Sequence, residues 1–191
     1  YNINLASAKA IKRFRELGCT EDGGKIGIVL NLTPAYPRSN NKDDLYASKV
    51  ADTIFNYSFL DPAVKGEFPS LLINLLKEDN ILWESTEEEL QIIKDNTIDF
   101  LGVNYYQPRR VKAKESEIDN SKGWMPEKYF DYYDIPGKRM NPYRGWEIYP
   151  EAMYDIAINI RDNYNNIPWY ISENGMGVEG EEKYIGEDGS I

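Results

Sequence analysis

The sequence predicts an α/β fold in which helices flank a parallel sheet, forming part of a (β/α)8 TIM barrel. Three observations carry that prediction. Apolar patterns alternate along the chain in the order helix, strand, helices, strand, helix, strand. The strand runs are nearly continuous in apolar character, as in strands covered on both faces. The last run, Ile167-Pro168-Trp169-Tyr170-Ile171, leads into Ser172-Glu173-Asn174-Gly175-Met176, which sets a carboxylate at the mouth of a buried strand and just before a glycine turn. Catalytic groups of such barrels come from the C-terminal strand ends, so Glu173 is the candidate nucleophile. Three strands cannot close a barrel that needs eight strands and about 250 residues. Residues 1–191 are therefore expected to be an incomplete segment of a single barrel domain.

The chain opens within a helix whose inward face is read from Ile3, Ala6, Ala10, Phe14 and Leu17, with Ile11 beside them. Gly18 stops that helix, and Asp22-Gly23-Gly24 supplies a turn. Ile26-Gly27-Ile28-Val29-Leu30-Asn31-Leu32 is the first strand, and residues 33–41 are read as a loop. A helix is expected over residues 43–59, with Val50, Ile54 and Phe55 inward and Asp61-Pro62 breaking it. Short helices follow at 71–77 and 87–94, the second opened by a capping box of Thr86 and Glu89. Residues 98–106, rich in Ile, Phe, Val and Tyr, form the next strand. Residues 108–146 show no period and read as a long, aromatic-rich functional loop. Pro150 then starts a helix with an inward stripe of Met153, Ile156, Ala157 and Ile160, and the strand carrying Glu173 follows.

Composition narrows the function. A formal net charge of −10 argues against sequence-independent nucleic-acid binding, and no apolar run reaches the roughly 20 residues of a membrane helix. The absence of histidine removes Ser-His and Cys-His nucleophilic machinery and the commonest metal ligand. Cys19 is the single cysteine, so reducing, cytoplasmic surroundings are expected, with Cys19 a small buried apolar group. With no initiating Met and a start inside a helix, the sequence reads as an internal piece of a longer protein, whose compartment cannot be judged from missing targeting segments.

Three ordered motifs carry a resemblance over nearly the whole chain. Ile171-Ser172-Glu173-Asn174-Gly175 resembles the nucleophile strand of glycoside hydrolase family 1. Phe100-Leu101-Gly102-Val103-Asn104-Tyr105-Tyr106 resembles that family's sixth strand, and Gly145-Trp146-Glu147-Ile148-Tyr149-Pro150 its approach to the sixth helix. The chain is thus similar to strands 5 to 7 of the family barrel with their helices. Asn31-Leu32-Thr33-Pro34-Ala35-Tyr36-Pro37-Arg38, Phe59-Leu60-Asp61-Pro62-Ala63-Val64-Lys65-Gly66 and Met176-Gly177-Val178-Glu179-Gly180-Glu181 look most like the bacterial 6-phospho-β-glucosidases.

The resemblance implies a retaining hydrolase of 6-phospho-β-glucosides, with a phosphorylated β-glucoside as its small-molecule partner and neither metal nor organic cofactor. Retaining enzymes use two carboxyls roughly 5–5.5 Å apart, one attacking the anomeric carbon and one protonating the leaving oxygen. Glu173 matches the nucleophile. Tyr106 matches the tyrosine whose hydroxyl orients that carboxylate. Asn104 and Tyr106, two residues apart on a strand, would share the face toward the sugar. The family's acid/base motif, Thr-x-Asn-Glu-Pro, has no counterpart here; nor do its last strand and phosphate-binding loop, so the chain alone is not expected to turn over substrate. Rival readings are a β-glucosidase or β-galactosidase acting on unphosphorylated sugars, and a non-catalytic sugar-binding homologue. Trp146 is read equally as a sugar platform or a core residue, Trp124 as a core or loop anchor rather than a sugar platform, and Arg109-Arg110 as a solvated basic face in preference to a pair that steers an anionic phosphosugar at long range.

Overall fold

A computed structural model of the chain describes residues 1–118, 121 and 123–190. Its centre is a parallel sheet of β1 (Gly27–Asn31), β3 (Phe100–Asn104) and β6 (Trp169–Glu173) in the order β1-β3-β6. Parallel neighbours require crossovers. Between β1 and β3 run α2 (Lys42–Asp52), α3 (Ser58–Lys65), α4 (Ser70–Glu78) and α5 (Glu87–Asp95); α6 (Glu151–Asn163) lies between β3 and β6, and α1 (Asn2–Glu16) precedes them all. One face of the sheet packs Leu30, Leu101 and Val103 against Ile11 of α1, Leu60 of α3 and Ile156 and Ile160 of α6. This is an arc of a (β/α)8 barrel, with the other face of the sheet free of helices.

On that free face Val29 of β1 is 48 % exposed in this chain. β6 pairs with β3 alone among the described residues, which leaves Tyr170 and Ile171 49 % and 50 % exposed here; these are exposures of an arc of three strands, not of a closed barrel.

The region read as loops holds a second sheet, β2-β4-β5, made of β2 (Ala35–Pro37), β4 (Arg109–Ala113) and β5 (Phe130–Tyr132). β2 runs parallel to β4, and β5 runs antiparallel to it. These strands are three to five residues long, and β4 has Val111 as its one buried residue, too little alternation for a sequence pattern. They persist because α2 covers them through Ala47, Val50 and Ala51, which pack on Ala35, Val111 and Phe130. Asp44, fully buried at the start of α2, joins the layers. It accepts hydrogen bonds from Ala113 N (2.7 Å), Ser39 Oγ (2.7 Å) and Asn41 Nδ2 (3.1 Å) and pairs with Arg38 (3.3 Å). Residues 119, 120 and 122 of the expected loop lie outside the described residues.

Pro62 does not break the helix as expected. After α2 a π turn over Thr53–Tyr57 leads into α3, which contains Pro62 and ends at Gly66. Proline offers no N–H to the carbonyl four residues earlier, which here belongs to Ser58. Asn4 Nδ2 donates to that oxygen at 2.9 Å. This contact also explains why α1 turns a different face inward. Asn4, Leu5, Ala8 and Ile11 are its buried residues, whereas Ile3 and Leu17 are 65 % and 61 % exposed. Counting apolar positions cannot place a core asparagine.

Gly66 stops α3 in the left-handed region (φ 74°), where a Cβ would sit 2.7 Å from Lys94 Cα. The capping box of α5 forms as expected, with Glu89 N bonded to Thr86 Oγ1 and Thr86 N to Glu89 Oε2. Cys19 is partly exposed rather than buried. No helix among the described residues is long and apolar enough to cross a membrane.

Candidate active site

β3 and β6 run parallel, so their C-terminal ends open on the same edge of the sheet. Asn104 and Glu173 are register partners there, just past an irregularity at Val103/Asn104. Beyond β3 the side chains keep alternating. Tyr105 turns into the core, 3 % exposed, and its hydroxyl donates to Tyr149 O at 2.6 Å. Asn104 and Tyr106 therefore share the opposite, open side. Asn104 Oδ1 accepts from Ser172 Oγ at 2.7 Å, and the Tyr106 hydroxyl donates to Glu173 Oε2 at 2.5 Å. The Glu173 acceptor pushes the Tyr106 hydroxyl pKa up, burial adding to it, so the phenol stays protonated and remains the donor. The three candidate residues of the sequence thus meet at one place, although 67 residues separate Tyr106 from Glu173.

Backbone and side-chain bonds hold this edge in place. Tyr105 N donates to Glu173 O at 3.0 Å, and Asn174 Nδ2 to Tyr105 O at 2.6 Å. Trp146 packs its ring 5.1 Å from that of Tyr106, which favours a role beside the site over a remote core position. The turn bearing Trp146 is tied down by Asn141. Its backbone N donates to Trp146 O (2.8 Å) and its Nδ2 to Gly177 O (2.9 Å), while its Oδ1 accepts from Tyr143 N and Arg144 N. A cavity of about 220 Å³ lies under this turn, lined in part by Tyr106, Trp146, Asn174 and Met176.

Arg109 and Arg110 are not a solvated basic face. Arg110 makes a forked contact to the buried Glu147, with Nη2 2.7 Å from Oε1 and Nε 3.1 Å from Oε2. Its guanidinium lies 4.7 Å from the Tyr36 ring and 4.4 Å from the Tyr149 ring. Glu147 beside it holds the Arg110 pKa above its usual value. Arg109 stacks 3.6 Å over the Phe55 ring, and burial pulls its pKa down. Both arginines are carried into the structure by β4, which sequence reading took for loop. Trp124 is a loop anchor as expected, its Nε1 donating to Asp79 Oδ2 at 2.8 Å.

Sequence reasoning passed over Ser172 and Asn174 as individual residues, although both lie within the pentapeptide that singled out Glu173. The Arg110–Glu147 pair left no local signal, because its members are 37 residues apart. Among the described residues no three His, Cys, Asp or Glu side chains cluster so as to hold a metal ion.

The chain is 54 % identical to the 6-phospho-beta-glucosidase GmuD of Bacillus subtilis over 100 % of its own length and 40 % of that protein. It is 34 % identical to beta-glucosidase A of Thermotoga maritima, again over all of this chain and 39 % of the relative. The structure of the Thermotoga maritima beta-glucosidase in complex with glucoimidazole superposes with a TM-score of 0.76 at 32 % identity, covering 98 % of this chain and 38 % of that one. The chain thus spans about two-fifths of the length of the curated relatives it matches. The family model for glycosyl hydrolase family 1 matches residues 1–190, and with this sheet and this strand-end carboxylate the chain belongs to that family.

Proposed function

We propose that the protein containing this chain is a retaining glycoside hydrolase that cleaves 6-phospho-β-glucosides through a covalent glycosyl-Glu173 intermediate. The observation that carries the reading is the Tyr106 hydroxyl on Glu173 Oε2 at the C-terminal ends of two parallel strands. A carboxylate held on one oxygen keeps the other free to attack an anomeric carbon. Attack would form the Glu173–C1 ester and expel the leaving oxygen, which takes a proton from a second carboxyl contributed by another part of the protein. Water then cleaves the ester, releasing the sugar with its configuration retained. Asn104, fixed by Ser172 on the same edge, is assigned to a hydroxyl of the bound sugar.

The phosphorylated substrate is supported by the 54 % identity to a protein named for 6-phospho-β-glucosides. A phosphosugar does not cross a bilayer unaided, and Cys19 is the single cysteine; both fit a cytoplasmic enzyme. The test is mass spectrometry of the full-length protein after 2-deoxy-2-fluoro glucoside inactivators with and without a 6-phosphate. Label on Glu173 from the phosphorylated reagent alone supports the whole reading. Label from the plain glucoside alone keeps the mechanism and assigns an unphosphorylated substrate. No label from either, on folded protein, refutes the covalent mechanism and favours a sugar-binding homologue.

A further inference from the structure

The turn bearing Trp146 is a wall against which the Tyr106 ring rests, so whatever fixes that turn also fixes the donor on Glu173. Bonds within the turn, Asn141 N to Trp146 O and Ile148 N to Arg139 O, shape it without attaching it to the sheets. A link to the second sheet comes from Arg110 on β4, which pairs with Glu147, the residue next to Trp146. The two side chains are 14 % and 8 % exposed. Glu147 lines the cavity under Trp146 and also one of about 560 Å³ beside Arg109 and Arg110, so the pair stands where the two meet.

Three features make this pair a geometric reference rather than a loose ion pair. The contact is forked, with Nη2 on Oε1 and Nε on Oε2, which sets orientation as well as distance. The guanidinium lies against the rings of both Tyr36 and Tyr149, which fixes its plane. Both tyrosines are themselves anchored. The Tyr36 hydroxyl donates to Asp155 Oδ2 of α6 at 2.5 Å, and Tyr149 O accepts from the Tyr105 hydroxyl at 2.6 Å. Tyr105 in turn bonds its backbone N to Glu173 O. The second sheet, α6 and the strand carrying Glu173 thus converge on Arg110 and Glu147.

Such a pair is a poor way to gain stability. Taking two charges out of water costs about as much as their attraction returns, and apolar side chains of similar volume do as well or better. A fork supplies what apolar packing does not, a single orientation.

We propose that Arg110 and Glu147 are positioning residues for the glycosidase reaction, holding the Trp146 turn against Tyr106 and thereby keeping the Tyr106 hydroxyl on Glu173. The proposal rests on the reading of Glu173 as the nucleophile. Neither residue touches the reacting atoms. A misplacement on the order of 1 Å in the groups they hold is enough to slow a reaction by up to about 100-fold, so the effect belongs in kcat.

The test uses the full-length protein and 4-nitrophenyl β-glucoside, with or without a 6-phosphate, whichever the wild type cleaves. Arg110→Lys keeps a charge for Glu147 and removes the fork. The double variant Arg110→Met with Glu147→Leu removes both charges and keeps the bulk. Both are expected to unfold in urea at midpoints near that of wild type. Their kcat should nonetheless fall roughly tenfold, with KM within about threefold. In a Tyr106→Phe background, where the positioned hydroxyl is gone, either change should lower kcat by less than about twofold more. Wild-type kcat in either variant would overturn the proposal, because the fork would not be needed. A full tenfold loss in the Tyr106→Phe background would also overturn it, because the pair would act by a route other than Tyr106. Failure of both variants to fold would make the pair a stabilising element and overturn it as well. Each of these results leaves the glycosidase reading intact, whereas a wild type that cleaves neither glucoside refutes that reading and this proposal together.

Discussion

Asp52 offers the sharpest test of how the site edge is held. It sits at the end of α2, where its Oδ1 accepts from Ala35 N at 2.9 Å and from Asn56 Nδ2 at 2.8 Å. Asn56 in turn bonds both backbone groups of Thr33, so the two side chains pin the segment that leaves β1 for β2. Burial raises the Asp52 carboxyl to about 6, against the lowering effects of those two hydrogen bonds and of Arg109. A carboxyl whose pKa is higher folded than unfolded binds more protons in the folded state. Its contribution is therefore fully present below the unfolded value of 3.8 and is lost as pH rises through about 6. At about 1.4 kcal/mol per pH unit, the loss amounts to about 2–3 kcal/mol, the lower figure allowing for partial solvent access. Asp52→Asn keeps an oxygen for Ala35 N and Asn56 Nδ2 and removes the charge. Urea unfolding of the full-length protein should show the variant level with wild type near pH 4 and more stable by about 2 kcal/mol at pH 7.5. A stability difference that is flat from pH 4 to 7.5, or a variant less stable at pH 7.5, would refute the assignment.

Two further outcomes are expected. Tyr106→Phe removes the hydroxyl on Glu173 while keeping the ring against Trp146; steady-state kinetics should show kcat lowered roughly tenfold or more with KM little changed, and an unchanged kcat would remove Tyr106 from the mechanism. Asn4→Ala should cost about 1–2 kcal/mol of unfolding free energy by leaving the Ser58 carbonyl unpaired, and clearly less in a Pro62→Ala background, where residue 62 regains an N–H that reaches that oxygen; equal costs in the two backgrounds of this double-mutant cycle would show that the carbonyl is not what Asn4 serves.

The sequence by itself determined the barrel arc and the candidate residues. Apolar periodicity is written by neighbours along the chain, so β1, β3, β6 and α6 were legible, as was the capping box that opens α5. Glu173, Tyr106 and Asn104 were legible as candidates because they stand in short motifs with a fixed order. Only the tertiary structure decided that the Tyr106 hydroxyl meets Glu173, that Arg110 is sealed against Glu147, and that Arg109 is left facing a cavity. It also decided the second sheet, whose three short strands have one another and α2 as support, and the face of α1, which a buried Asn4 sets from 54 residues away. The physical reason is common to all of these. A strand too short to alternate, a polar side chain satisfied by a distant carbonyl and a paired or unpaired guanidinium each depend on partners that the chain brings together only by folding.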